Sequence, residues 1–331
     1  MKITKLFLMT FALFALLLVG KLNAQFSGGT GTENNPYQIT SREDLDKLNN
    51  FLENNSMWSV GKYFKLMNDI TDSIRVPIGG GLSTFKGNFD GNNKKITLAI
   101  NNYSRIIFIV MPINFYGLFS RVINAKIYNL TVDGYIRSNL GYSHFTGSIA
   151  GIADNSEIYN CVNLADIDVD GVCVGGIVGH LEESYISNCM NSGSIQSTYT
   201  PQSTVKNFCG GIVGHIENSS KIVNCINIGT IKAVEVVGGI VGGVSSSDFV
   251  DEATTILNCI NSGFVSGDTQ VGGIIGFFLS TSGEIKNCLN TGAVKGNEKV
   301  GCIVGGVPDF AFGSPTIENC YYDKQMCGGG E

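Results

Sequence analysis

Charge, proline and histidine are all scarce in this chain. Only 15% of the 331 residues are Asp, Glu, Lys or Arg, against an ordinary ~25%, and there are six Pro, three His and one Trp. A chain so poor in charge cannot line a coiled-coil surface or stay solvated as a disordered tail, and the low Pro excludes collagen despite 43 Gly. No run of Lys or Arg could neutralise phosphates, so nucleic acid is excluded as a partner. What remains is 43% apolar residues, enough to fill the core of one elongated domain or two compact ones.

One long apolar run does occur, and it stands at the start. Lys2 and Lys5 precede a largely apolar stretch from Leu6 to Val19, and Lys21-Leu22-Asn23-Ala24 follows. Such a stretch, at ~1.5 Å per residue, spans only about 21 Å, short of the ~30 Å hydrocarbon core, so residues 1–24 read as a signal peptide cleaved after Ala24. Loss of Lys2, Lys5 and Lys21 moves the formal net charge from −6 to −9. The sequence thus predicts an exported protein, secreted or at the outer cell surface, with no membrane span in its mature chain. That acidity disfavours anionic membranes.

From residue 117 the chain repeats. Gly-Gly-aliphatic-aliphatic-Gly begins at Gly175, Gly210, Gly238 and Gly272, with variants at Gly117, Gly147 and Gly301, at intervals of 28 to 35 residues. A second marker, Ile-x-Asn-Cys-x-Asn, begins at Ile158, Ile186, Ile222, Ile256 and Ile285, with a degenerate copy at Ile127 and a partial one at Ile317. Two markers in one phase mean a solenoid, and Gly pairs, fixed Asn and β-branched residues mean strands rather than helices. The fold class expected is all-β: a right-handed parallel β-helix of about seven coils, roughly 34 Å long at ~4.8 Å per coil, behind an N-terminal cap containing a helix. Each coil reads as three strands: the GGIVG segment, the Ile-x-Asn-Cys segment, and a third such as Ser194-Ile195-Gln196 or Thr230-Ile231-Lys232. The domain plan is then 1–24 signal peptide, 25–116 cap and first irregular coils, 117–322 repetitive β-helix and 323–331 short tail.

Two columns follow from the phase. Cys161, Cys189, Cys225, Cys259, Cys288 and Cys320 share one position and should stack as small buried thiols, since parallel Cβ vectors on adjacent coils sit too far apart for disulfides. If the marker Ile faces inward, strict alternation would turn the Cys three residues later outward. A bend at Asn160, Asn188, Asn224, Asn258 or Asn287 would bring it back in, because Asn tolerates the left-handed conformation. Those Asn, with Asn319 and a second set at Asn163, Asn191, Asn227, Asn261 and Asn290, read as structural ladders. Cys209 and Cys302 lie in or beside the Gly marker. The spacing leaves Cys173 and Cys327 unplaced, and with them the pairing state of all four.

In the N-terminal part, Thr40 to Leu45 carries a capping-box pattern opening an amphipathic helix through about Leu52, with Leu45, Leu48, Phe51 and Leu52 on one face. Strand-like stretches follow at 63–70 and 85–100. The ordered set Pro36-Tyr37-Gln38-Ile39, Gly61 to Ile70, Pro77-Ile78-Gly79, Phe85 to Asn92 and Tyr116-Gly117-Leu118-Phe119, then the Asn-Cys and GGIVG units, resembles bacterial surface proteins with the GLUG motif. The resemblance implies an exported β-helical segment of the kind common in adhesin-like proteins and found beside the catalytic part of zinc metallopeptidases that cleave immunoglobulin A. It also implies that relatives often continue past Cys320-Tyr321-Tyr322, so the stop at Glu331 reads as a truncation or a short member.

Catalytic signatures are absent or incomplete. HExxH and GxSxG do not occur, and no Gly-rich stretch has the Lys and helix of a phosphate loop. Asp166, Asp168 and Asp170 before Gly171 resemble the start of a calcium loop, but the position due a chelating Glu is Ile177. His180 and His215 follow the last Gly of their markers and should neighbour each other on adjacent coils. With no carboxylate or Cys recurring beside them, they read as a stacked surface pair, and His144 is out of phase. No cofactor is expected. The function that fits is a non-catalytic, adhesin-like surface rod offering outward strands and loops to a host, matrix or glycan partner. The alternatives are an accessory stalk of a larger secreted enzyme and a carbohydrate-active β-helix, which would need converging acids. With only eleven residues after Cys320, three of them Gly328, Gly329 and Gly330, the last edge should be open and prone to end-to-end self-association.

Overall fold

The computed structural model describes residues 25–80, 83–102, 114–140, 144–200, 206–245, 253–280, 283–307 and 314–327. The expected signal peptide and the three terminal glycines lie outside them. Among the described residues no helix is long and apolar enough to cross a membrane.

The chain is a parallel β-solenoid built on three sheets: a long one of 22 strands and two of seven strands each. One coil shows the pattern. Cys173–Gly175 lies in the second sheet, Val178–Glu182 in the third, and Tyr185–Ser187, Met190–Asn191 and Ile195–Ser197 in the long sheet. GGIVG is therefore not one strand, as the periodicity suggests, but the corner between two. A Cβ on Gly175 would strike the carbonyl of Val178, and one on Gly176 would strike the carbonyl of Gly211 and the amide of Asn191. The corner is too tight for any side chain at these two places.

The register keeps like on like. Ile127, Ile158, Ile186, Ile222, Ile256, Ile285 and Ile317 pair in one column. Three residues on, the Cys column is buried from Cys161 to Cys288, and Cys320 is half-buried. Both face inward because the Asn between them bends: Asn160, Asn188, Asn224, Asn258, Asn287 and Asn319 have φ of 53°, 52°, 54°, 53°, 55° and 50°. Asn is the residue that takes this left-handed conformation most cheaply after Gly. The residues that follow the Cys, Val162, Met190, Ile226, Ile260 and Leu289, are half-buried and face outward, while the second Asn set points in and is buried.

The N-terminal stretch continues the long sheet. Strand β1 (Tyr37–Ile39) pairs with β2 (Tyr63–Leu66), and β2 with β4 (Asn88–Asn101), which follows β3 (Ile70–Ile74), so that Tyr37, Phe64, Phe89 and Ile127 head the Ile column. Helix α1 (Arg42–Asn54) buries Leu45, Leu48 and Leu52. Beside it Phe51 stacks on Trp58 at 4.5 Å and Phe26 packs on Tyr37 at 4.8 Å. The capping differs from the box the sequence suggests. Ser41 makes no side-chain cap, and Asp44 reaches back to accept from the Thr40 N–H (3.0 Å), the Thr40 hydroxyl (3.0 Å) and the Ser27 hydroxyl (2.6 Å).

The other end also departs from expectation. A short 3₁₀ turn at Lys324–Met326 brings Cys327 back to a bridge with Val294 and a disulfide with Cys302, the Cα atoms 5.6 Å apart. The tail up to Cys327 thus packs on the preceding coil. The final coil remains open to solvent, with Ile317 49% and Tyr321 66% exposed.

Candidate functional site

The interior ladders are structural. From Asn163 to Asn261 each inner amide donates to the carbonyl two residues on and to the next coil's Asn: Asn191 Nδ2 to Gly193 O at 3.1 Å and to Asn227 Oδ1 at 2.8 Å, Asn227 Nδ2 to Gly229 O at 3.0 Å and to Asn261 Oδ1 at 2.8 Å. The outer ladder runs the opposite way, Asn224 Nδ2 donating back to Asn188 Oδ1 at 3.1 Å and Asn258 to Asn224 at 3.0 Å. Thiols of the Cys column point at carbonyls, Cys225 Sγ at Val223 O (3.4 Å), and burial pushes the Cys225 thiol well above its ordinary range. The six cysteines of the column are unpaired.

Chemistry gathers elsewhere, on the outer side of the corner. The residue two before each marker Gly forms a column in the second sheet, Phe145, Cys173, Phe208 and Val236. The residue five after it forms one in the third, Ile152, His180, His215, Gly243 and Phe277. The tight Gly corner folds these columns against one another: Phe145 lies 5.2 Å from the His180 ring and Phe208 stacks on His215 at 4.4 Å. Gly243 leaves the space that the Phe208 ring fills.

Within this seam one ligand atom from each of Cys173, His180 and His215 lies within 4.8 Å of the others. The two Nδ1 atoms are 3.4 Å apart, His215 Nε2 meets Ser245 Oγ at 2.9 Å, and His180 Nε2 stands 3.5 Å from Glu217 Oε2. Burial pushes the His215 imidazole down to about 3, helped by His180. It lowers His180 too, against the pull of Glu217. The Cys173 thiol is driven up by burial and by the Glu217 charge. The expected His pair is therefore present, but it is neither a plain surface stack nor free of a Cys and a carboxylate. Cys173 was missed because it occurs once in its column. Counting back two from Gly175, as for Phe145 and Phe208, would have placed it.

The acidic trio does not assemble. Asp166 and Asp168 are exposed on Asp166–Val169 beside inward Ile167 and Val169, and Asp166 accepts from the Ser194 N–H at 3.0 Å. Asp170 follows the strand, half-buried, with Oδ1 unpartnered and its carboxyl raised by burial. Among the described residues the three carboxylates do not form a group that could hold an ion. A shallow polar groove of about 420 Å³ crosses four coils where the third sheet leads into the long one, with Glu157, Glu183, Tyr185 and Lys221 in its lining.

Comparisons with known proteins agree with the repeat and with the fold. The Glug family, described as the GLUG motif, matches residues 170–196, one coil containing Cys173 and His180. A protein of Evansella cellulosilytica provisionally described as a Gly-rich membrane protein is 29% identical over 136 residues, 38% of this chain, and the match spans 14% of that relative's length. A crystal structure from Bacteroides ovatus, provisionally described as an immunoglobulin A1 protease, superimposes with a TM-score of 0.60 at 21% identity, covering 90% of this chain and 87% of the other. The GLUG motif thus falls on one coil of a parallel β-solenoid, in phase with the corner and ladders that surround it.

Proposed function

We propose that the mature chain is an exported, non-catalytic rod that holds outward strands and turns at fixed spacing for an adhesin-like contact with a host, matrix or glycan partner. The observation that carries this reading is the uniform stacking. From Ile127 to Ile317 every coil repeats the same register, so a groove such as that at Glu157, Glu183, Tyr185 and Lys221 is built from equivalent turns of successive coils and suits an extended, repeating ligand. The polar lining fits a glycan better than an apolar peptide. Purified residues 25–331 on a glycan array and on immobilised matrix proteins should be retained, with Tyr185→Ala and Lys221→Ala weakening retention. Turnover in an unbiased substrate screen would refute the non-catalytic reading.

A second reading, a stalk within a larger secreted enzyme, is favoured by the likeness to the B. ovatus protein, whose description names a protease. Under it the same chain spaces a catalytic part from the cell and binds nothing tightly itself.

A further inference from the structure

We propose that Cys173, His180 and His215 form a binding site for one divalent transition-metal ion of zinc's class, clamping two successive coils. This proposal is independent of the adhesin and stalk readings above.

The donor set is the first ground. One thiol and two imidazoles are ligands of borderline-soft ions such as zinc(II), and unlike oxygen ligands they do not select calcium or magnesium. Spacing is the second. Zinc–nitrogen bonds of ~2.0–2.1 Å at tetrahedral angles put two nitrogens about 3.3 Å apart, and the two Nδ1 atoms stand at 3.4 Å. All three ligand atoms fall within 4.8 Å, so small rotamer adjustments close them on one centre.

The outer contacts are the third ground and the strongest. Metal-bound imidazoles nearly always give their other N–H to a carboxylate, hydroxyl or carbonyl, which fixes the tautomer. Here the far nitrogen of each ring has such a partner: His180 Nε2 faces the Glu217 carboxylate at 3.5 Å, and His215 Nε2 meets the Ser245 hydroxyl at 2.9 Å. With Nε2–H on both rings, the two Nδ1 lone pairs face each other across 3.4 Å, an arrangement a shared cation relieves. Around them Phe145 and Phe208 provide an apolar collar that excludes competing water.

Cys173 and His180 sit on one coil and His215 on the next, paired His180 to His215 in register. An ion here links neighbouring coils beside the Gly corner, where the seam lies outside the continuous interior core that includes Val174 and Leu181. Binding to neutral imidazoles and a protonated thiol forms one metal–sulfur and two metal–nitrogen bonds and releases the Cys173 proton to solvent, one proton per ion. A water is left for the fourth position.

The test uses residues 25–331, stripped with chelator and titrated with cobalt(II) as the probe, then with zinc(II). A thiolate-to-cobalt charge-transfer band should grow to one equivalent, zinc should abolish it, and one proton per ion should appear in a weakly buffered sample. Cys173→Ala should lose the band, His215→Ala should weaken binding by at least about 100-fold, and Glu217→Gln by roughly 10- to 100-fold, as outer partners do. Cys209→Ala, which removes the buried core thiol paired beside Val174 on the neighbouring coil, should keep the band. Circular dichroism identifies any variant that fails to fold, and the wild-type titration alone then decides. A folded wild type with no sulfur–cobalt band, or a band unchanged in folded Cys173→Ala, overturns the proposal.

Discussion

Asn224, at the bend after strand Lys221–Val223, and Asn227, ending strand Ile226–Asn227, stand three residues apart, yet one faces solvent and the other is fully buried. Both form ladders along the axis, and their work differs. The outer Asn supplies a backbone conformation, φ 54°, and its amide ladder runs through water-accessible space. The inner Asn supplies hydrogen bonds that nothing else in the interior can make: to Gly229 O, to Asn261, and from Asn191. An identical residue repeated in two columns can thus be retained for torsion in one and for polar satisfaction in the other.

The largest effect expected from breaking this pairing is at Asn227. Asn227→Ala strips partners from two buried amides and a buried carbonyl, each loss costing about 1–3 kcal/mol, so urea unfolding should show a destabilisation of about 3 kcal/mol or more. Asn224→Ala should cost only about 1–2 kcal/mol, the left-handed penalty for a Cβ residue without Asn's local bonding, and Asn224→Gly should recover most of it. Equal losses for Asn224→Gly and Asn224→Ala would show that the outer amide ladder, not the torsion, matters.

The neighbouring Cys225 sharpens the contrast further. A hydroxyl there would find Val223 O, which the thiol already approaches at 3.4 Å, so Cys225→Ser should cost about 1 kcal/mol, near the low end for a buried polar group. Mass spectrometry should find the column thiols free and Cys302 linked to Cys327.

The two ends of the rod give smaller, local effects. Amides around Ile303 should exchange faster than those around Ile212, which is enclosed by coils on both sides, and reducing Cys302–Cys327 should widen the gap. At the helical end, burial would raise the Asp44 carboxyl, but hydrogen bonds from Ser27, the Thr40 N–H, Lys47 and the Thr40 hydroxyl outweigh it and hold the group below the usual Asp range. The folded state thus binds its proton less readily than the unfolded chain. The stability this supplies is complete above about pH 4 and is lost as pH falls through the lowered value. Trp58, the sole Trp and stacked on Phe51, should report that loss by fluorescence, and Asp44→Asn should abolish the acid step.

Where the repeat is strict, the sequence was legible. Column membership of Cys161 to Cys320, the bend at the intervening Asn and the parallel stacking all follow from phase, because like residues must meet like on the next coil, while the cap helix follows from its own apolar face at Leu45, Leu48 and Leu52. Reading failed where contact is made across the corner. GGIVG looked like a strand because its aliphatics alternate with nothing polar, and only the close approach of Gly176 to Gly211 O shows that the chain turns there. The Cys302–Cys327 link was equally invisible, since it joins a marker variant to the tail rather than coil to coil.

The sequence by itself determined the axial order of this protein: which residues stack, at what interval, and which Asn turn the backbone. Those are nearest-neighbour matters, and a period records them. The tertiary structure alone decided what lies across the coil, bringing the column of Cys173 onto the column of His180 and His215 and setting Glu217 and Ser245 behind them. No period encodes that meeting, because it depends on how sharply a side-chain-free corner closes two sheets upon each other.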